Sequence, residues 1–120
     1  MAADSAEALS LARRVVDLAS DKQASEIVLL DIRGVSLIAD YFVIGTVGSE
    51  RQASAILKDL SERLQAEFGR KPLHTEGKPD SGWVLLDYGD VLVHVFLEDT
   101  RAYYALERLW GDAPSVPIEG

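Results

Sequence analysis

The stretch from Trp83 to Leu97 reads WVLLDYGDVLVHVFL, two apolar runs interrupted at Asp87, Tyr88, Gly89 and Asp90. Branched aliphatic residues on both sides of a short polar, glycine-containing break predict two antiparallel strands joined by a tight turn. Taking Tyr88 and Gly89 as the loop residues pairs Asp87 with Asp90, Leu86 with Val91, Leu85 with Leu92, Val84 with Val93 and Trp83 with His94. Because successive strand side chains alternate between faces, one face carries Val84, Leu86, Val91, Val93 and Val95, an aliphatic set that belongs to a core. The other carries Trp83, Leu85, Asp87, Asp90, Leu92, His94 and Phe96. Like charges set opposite one another are destabilising, and unpaired buried charge is costly, so this second face suits a surface that meets a partner. The alternative is that a final helix covers it and Arg101 neutralises an aspartate. A loop of another length shifts the register, and a slip of one residue exchanges the two faces.

Working outward, Asp99 or Thr100 can cap a last helix bearing Ala102, Tyr103, Leu106, Leu109 and Trp110, which Gly111 ends. Upstream, residues 70–82 carry prolines, glycines and charges and form a connection, with a short edge strand at 72–75. Ser49 and Gln52 make a capping box ahead of Ala53, Ile56, Leu57, Leu60, Leu64 and Phe68, one helical stripe that stops at Gly69. Residues 41–47 (YFVIGTV) read as a strand with a weak point or bulge at Gly45, and 26–32 (EIVLLDI) as a buried strand closed by Gly34. Asp4 and Glu7 suggest a capping box before an amphipathic helix over 5–20. The order of elements predicts an α/β (α+β) single domain, a mixed β-sheet flanked by helices. Residues 1–111 form the domain, and 112–120, with Pro114 and Pro117, form a flexible tail.

The 120 residues, 48% of them hydrophobic, suffice for one core. No apolar run approaches the roughly 20 residues that span a bilayer. Residues 1–7 lack the basic start and apolar stretch of a secretory signal, so a cytoplasmic protein is expected. With no cysteine there is no disulfide framework or thiolate site. Twenty acidic against 12 basic residues give a net charge of −8, which repels phosphate backbones and favours basic partners.

Chemistry finds little footing. Two turn-flanking aspartates offer fewer convergent ligands than a metal or acid–base site needs, and His74 and His94 lack the spacing of a zinc site. The serines sit in no nucleophile-elbow context. GTVGSERQ places glycines before a capped helix, but it has neither the lysine of a P-loop nor the glycine spacing of a dinucleotide fingerprint. No cofactor and no metal are expected.

Three segments in order, ADYFVIGTVGSERQ (39–52), GWVLLDYGDVLVHVF (82–96) and RAYYALERLW (101–110), resemble the ribosomal silencing factor, or Iojap, family over residues 5–111. The resemblance implies a nucleotidyltransferase-like fold without the catalytic site, since ERQASAILKDLS (50–61) supplies no acidic pair for metal ions. It also implies a non-enzymatic role: binding the large ribosomal subunit through its protein fourteen, and blocking association with the small subunit. On that pattern Trp83 is the apolar anchor, His94 its cross-strand neighbour, and Asp87 and Asp90 acids facing the partner. Arg101, Tyr104 and Glu107 on the last helix are further interface candidates. The same resemblance implies a capacity to pair as a homodimer, with the oligomeric state left open, and neither free nucleic acid nor membrane is expected as a partner. Two alternatives stay open: a ribosome-biogenesis adaptor on the same surface, and a diverged nucleotidyltransferase using Asp87 and Asp90.

Overall fold

In the computed structural model the second arm of the hairpin is the central strand of a five-stranded sheet and the first arm lies next to one edge. The structure describes residues 2–34, 37–100 and 114–116, with the backbone alone at 2–5. The elements are α1 (Ala2–Asp21), β1 (Ser25–Asp31), β2 (Tyr41–Val47), α2 (Glu50–Phe68), β3 (His74–Glu76), a 3₁₀ turn (Pro79–Ser81), β4 (Trp83–Asp87) and β5 (Val91–Leu97). Strand order is β1-β2-β5-β4-β3, with β2 and β5 parallel and the other neighbours antiparallel. The expected mixed sheet with flanking helices is what forms.

The first helix begins at Ala2, so Asp4 lies inside it and not at its cap. Local chemistry sets the limits of α2. The Ser49 hydroxyl accepts the Gln52 amide N–H at 3.1 Å, and the helix ends at Gly69 with φ +67°, the left-handed conformation that favours glycine. Its buried Ala53, Ile56, Leu60 and Leu64 join Leu11, Val15 and Leu18 of α1 against one face of the sheet. That face presents Leu86, Val91, Val93 and Val95, which with buried Val84 make up the aliphatic set expected to be core.

The hairpin register corrects the expected pairing. Trp83 lies opposite Phe96, Leu85 opposite His94 and Asp87 opposite Leu92. The Tyr88 N–H donates to the Val91 carbonyl at 3.0 Å, so Gly89 and Asp90, not Tyr88 and Gly89, are the loop residues. A shift of two residues preserves the alternation, which is why the two faces keep their membership although each partner changes. Asp87 and Asp90 therefore do not face each other.

Gly45 makes no bulge. It pairs with Val95 in the parallel ladder, and the irregularity falls in β1 between Ser25 and Val28, where Glu26 has φ +48°. A Cα hydrogen of Gly45 faces this segment, with Ala24 Cβ and Ile27 Cγ1 each 3.9 Å from where a Cβ would stand. Within the segment expected to be loose, Pro114–Val116 run along β1: Asp31 N–H donates to the Pro114 carbonyl and Val116 N–H to the Leu29 carbonyl. Ser115 bridges Leu30 in antiparallel sense. Residues 98–100 are helical, and the rest of the expected last helix lies outside the described residues.

Candidate functional site: the margin of the second sheet face

The face turned away from α1 and α2 is ordered in cross-strand rows. One row runs Val28, Ile44, His94, Leu85, Glu76 from β1 to β3. A second runs Leu30, Phe42, Leu92, Asp87, His74, and a third joins Thr46, Phe96 and Trp83. Each row ends at the β3–β4 margin in a charged, polar or amphipathic side chain: Glu76, His74 and Trp83. Leu30, Phe42, Ile44, Leu92 and Phe96 are buried as a second core. Among the described residues the β3–β4 margin, with Trp83, Leu85 and Asp87 half-buried and Glu76 exposed, presents side chains outward, as does half-buried Val28 at the opposite edge. The expectation that the whole face is a meeting surface is narrowed to that strip.

Trp83 is held in place from beneath. Its indole stacks on Phe96 with ring centroids 5.3 Å apart and on His94 at 5.9 Å. The indole Nε1–H donates to His94 Nδ1 at 3.2 Å. His94 is not the directly opposed residue expected, but it is the polar tether of the anchor. Accepting at Nδ1 puts the proton of a neutral ring on Nε2, which is buried and finds no hydrogen-bond partner among the described residues. The ring also meets the Phe42 edge at 4.9 Å. Burial pushes the imidazole down to about 4, so at neutral pH it is uncharged and acts as an acceptor. At 5% exposure His94 supports the surface rather than forming it.

The two aspartates have intramolecular work. Asp87 Oδ1 accepts the Gly89 N–H at 2.7 Å, closing the turn. Asp90 is bound in a two-point ion pair with Arg70, at 2.6 and 3.1 Å, and Arg70 also donates to the Tyr88 carbonyl at 2.7 Å. The hydrogen bonds it donates to Asp90 hold the Arg70 guanidinium above its ordinary pKa. The Asp90 carbonyl accepts from Asp40 and Tyr41, which ties the turn to the start of β2. Asp90 is thus a structural acid, neutralised by Arg70; Asp87 keeps its second oxygen for other donors. Arg101, Tyr104 and Glu107 lie outside the described residues.

Sequence reading missed two residues here. Arg70 sits just past the helix stop and its partner is 20 positions away, so no local pattern links them. Glu76 falls one residue past the short edge strand expected at 72–75, yet β3 runs from His74 to Glu76 and sets it directly beside Leu85. Its Oε2 is 2.7 Å from His74 Nε2.

Other candidate chemistry finds no assembly. Among the described residues no group of three or more His, Asp or Glu side chains converges as a metal site. The N-terminus of α2 is satisfied internally, with the Gly48 N–H on the Gln52 side-chain oxygen at 2.8 Å. Among the described residues, no helix is long and apolar enough to cross a membrane.

Residues 5–120 match the family described as "Ribosomal silencing factor during starvation". The chain is 50% identical over 114 residues to "Ribosomal silencing factor RsfS" of Halalkalibacterium halodurans, covering 95% of this chain and 94% of that protein. It is 39% identical to "Protein Iojap, chloroplastic" of Zea mays, covering 97% of this chain and 49% of that longer protein. Among solved structures, protein CV0518 from Chromobacterium violaceum aligns with a TM-score of 0.77 at 32% identity, covering 95% of this chain and 92% of that one.

Proposed function

Because the chain belongs to the ribosomal silencing factor family, we propose that it binds the large ribosomal subunit through that subunit's protein fourteen and blocks joining of the small subunit. The observation that carries this reading is the half-buried indole of Trp83, fixed by Phe96 and His94 at the margin of a sheet face whose centre is core. A rigid aromatic held at the rim loses little conformational freedom on docking, and tryptophan is enriched among residues that dominate binding energy. The net charge of −8 favours a basic ribosomal protein over the RNA around it. Occlusion needs occupancy alone, so the protein acts in the cytoplasm without turnover and without cofactor.

The test is sedimentation of the purified protein with isolated large subunits, followed by addition of small subunits on a sucrose gradient. Co-sedimentation and a reduced yield of joined ribosomes are expected. Trp83→Ala is expected to weaken large-subunit binding by about 30-fold or more, as for a central anchor worth about 2 kcal/mol. Undiminished joining at saturating protein would rule the reading out.

A further inference from the structure

Beside Trp83 the margin is indented by a hollow of about 230 Å³ lined by Glu76, Gly77, Ser81, Trp83 and Leu85. Its construction depends on backbone placement. Gly77 has φ +81°, and a Cβ there would run into the Trp83 carbonyl, so only glycine lets the chain after β3 close this tightly against β4. Ser81 Oγ donates to the Lys78 carbonyl at 2.7 Å, fixing the turn that forms the far side. Glu76 and Leu85 are cross-strand partners, so their side chains leave the sheet on the same face as Trp83.

The lining joins an aromatic ring and an apolar leucine to one carboxylate, and among the described residues no cationic side chain belongs to it. Of the carboxylate's two oxygens, Oε2 meets His74, which leaves Oε1 for a second donor. An aromatic face with an adjacent anion is the environment that takes a cation on an aliphatic stem: the stem packs on the apolar wall, the head lies on the ring and pairs with the acid. A planar guanidinium satisfies both demands at once.

We propose that this hollow is a subsite for a basic side chain, arginine before lysine, projecting from the protein that docks on the Trp83 margin. The inference rests on the function proposed above and specifies its chemistry: Trp83 acts there as a ring for a cation as well as an apolar anchor, and Glu76 is the counter-ion. Charge complementarity identifies the occupant, since a chain of charge −8 sets a carboxylate beside a half-buried aromatic.

The experiment measures affinity for isolated large subunits across a potassium chloride series for the wild type and for Glu76→Gln, Glu76→Lys, Trp83→Phe and Trp83→Leu. Thermal melting of each variant accompanies the series. Glu76 is exposed on a three-residue edge strand, so its variants are expected to melt as the wild type does. Glu76→Gln is expected to weaken binding about fivefold at low salt and to flatten the salt dependence, the signature of one lost ion pair. Glu76→Lys weakens it further, and Trp83→Phe retains more affinity than Trp83→Leu although both are apolar. If both Glu76 variants bind with unchanged affinity and salt slope while Trp83→Leu weakens binding, the subsite is overturned and the docking function stands. If the wild type itself fails to sediment with large subunits, the function falls and takes the subsite with it.

Discussion

The two edges of the sheet are closed by opposite means. At one edge β1 is seven residues long, and Pro114–Val116 engage its outer backbone through the Leu29 carbonyl and the Asp31 amide. At the other edge β3 is three residues long, wholly exposed, and carries His74 and Glu76. A long apolar edge invites pairing with another chain and needs cover, whereas a short polar edge protects itself. The difference also explains where a partner side chain finds room. At the β1 side Leu30 and Ile44 are buried, while β3 is too short to cover Trp83 and Leu85.

If that contrast is right, mutational cost falls steeply from β5 outward. Phe96→Ala removes a fully buried ring beneath Trp83 and is expected to cost about 3–5 kcal/mol of folding stability, read from urea unfolding. Leu73→Ala, at a residue 76% exposed next to β3, is expected to stay within about 0.5 kcal/mol. Comparable losses at the two positions would erase the distinction between a packed centre and an open margin.

A smaller effect tests the buried histidine. His94 has a folded pKa of about 4 against an ordinary 6.5. Above pH 6.5 the ring is neutral folded or unfolded, and burial carries no protonation cost. Between 6.5 and 4 the unfolded chain binds a proton that the native state refuses, so stability falls as pH falls. The loss is about 2 kcal/mol by pH 5 and about 3 kcal/mol once the pH is below 4. His94→Leu is expected to flatten the slope between pH 6.5 and 5 in urea titrations, a window above most carboxylate titration. A variant that keeps the wild-type slope would place the titrating group elsewhere.

The same histidine marks the limit of what the sequence makes legible. Helix α2 and strand β2 can be read because their signals are local: a serine cap, a glycine stop, a run of branched residues. The faces of the hairpin can be read because alternation survives an even slip in register. What alternation cannot reveal is whether a face is covered, and His94 looks alike in either case until the neighbouring strands are known. With β2 and β4 beside it, His94 sits between Ile44 and Leu85, an interior position. Asp90 misleads for a related reason: beside a turn it resembles a free surface acid, and its neutralising Arg70 comes from beyond α2.

The smallest expected effect concerns the β1 edge. Ending the chain after Ala113 removes the two backbone hydrogen bonds to β1 and the contact of Val116 with the main core. The two bonds contribute about 2 kcal/mol net and the packing of Val116 about 2 kcal/mol more, against about 3 kcal/mol of backbone entropy for ordering three residues. A net loss of about 1 kcal/mol is expected, lowering the melting temperature by roughly 4 °C. The more telling consequence is in association, because the shortened chain exposes the N–H of Asp31 and the carbonyl of Leu29 along an apolar seven-residue strand. Light scattering over a concentration series is expected to report more self-association for the shortened chain than for the intact one. The matching disruption at the opposite edge, Glu76→Gln, leaves β3 short and is expected to change neither melting nor self-association. If the shortened chain stays as dispersed as the intact protein, Pro114–Val116 do not guard the edge, and the contrast between the two edges reduces to one of length.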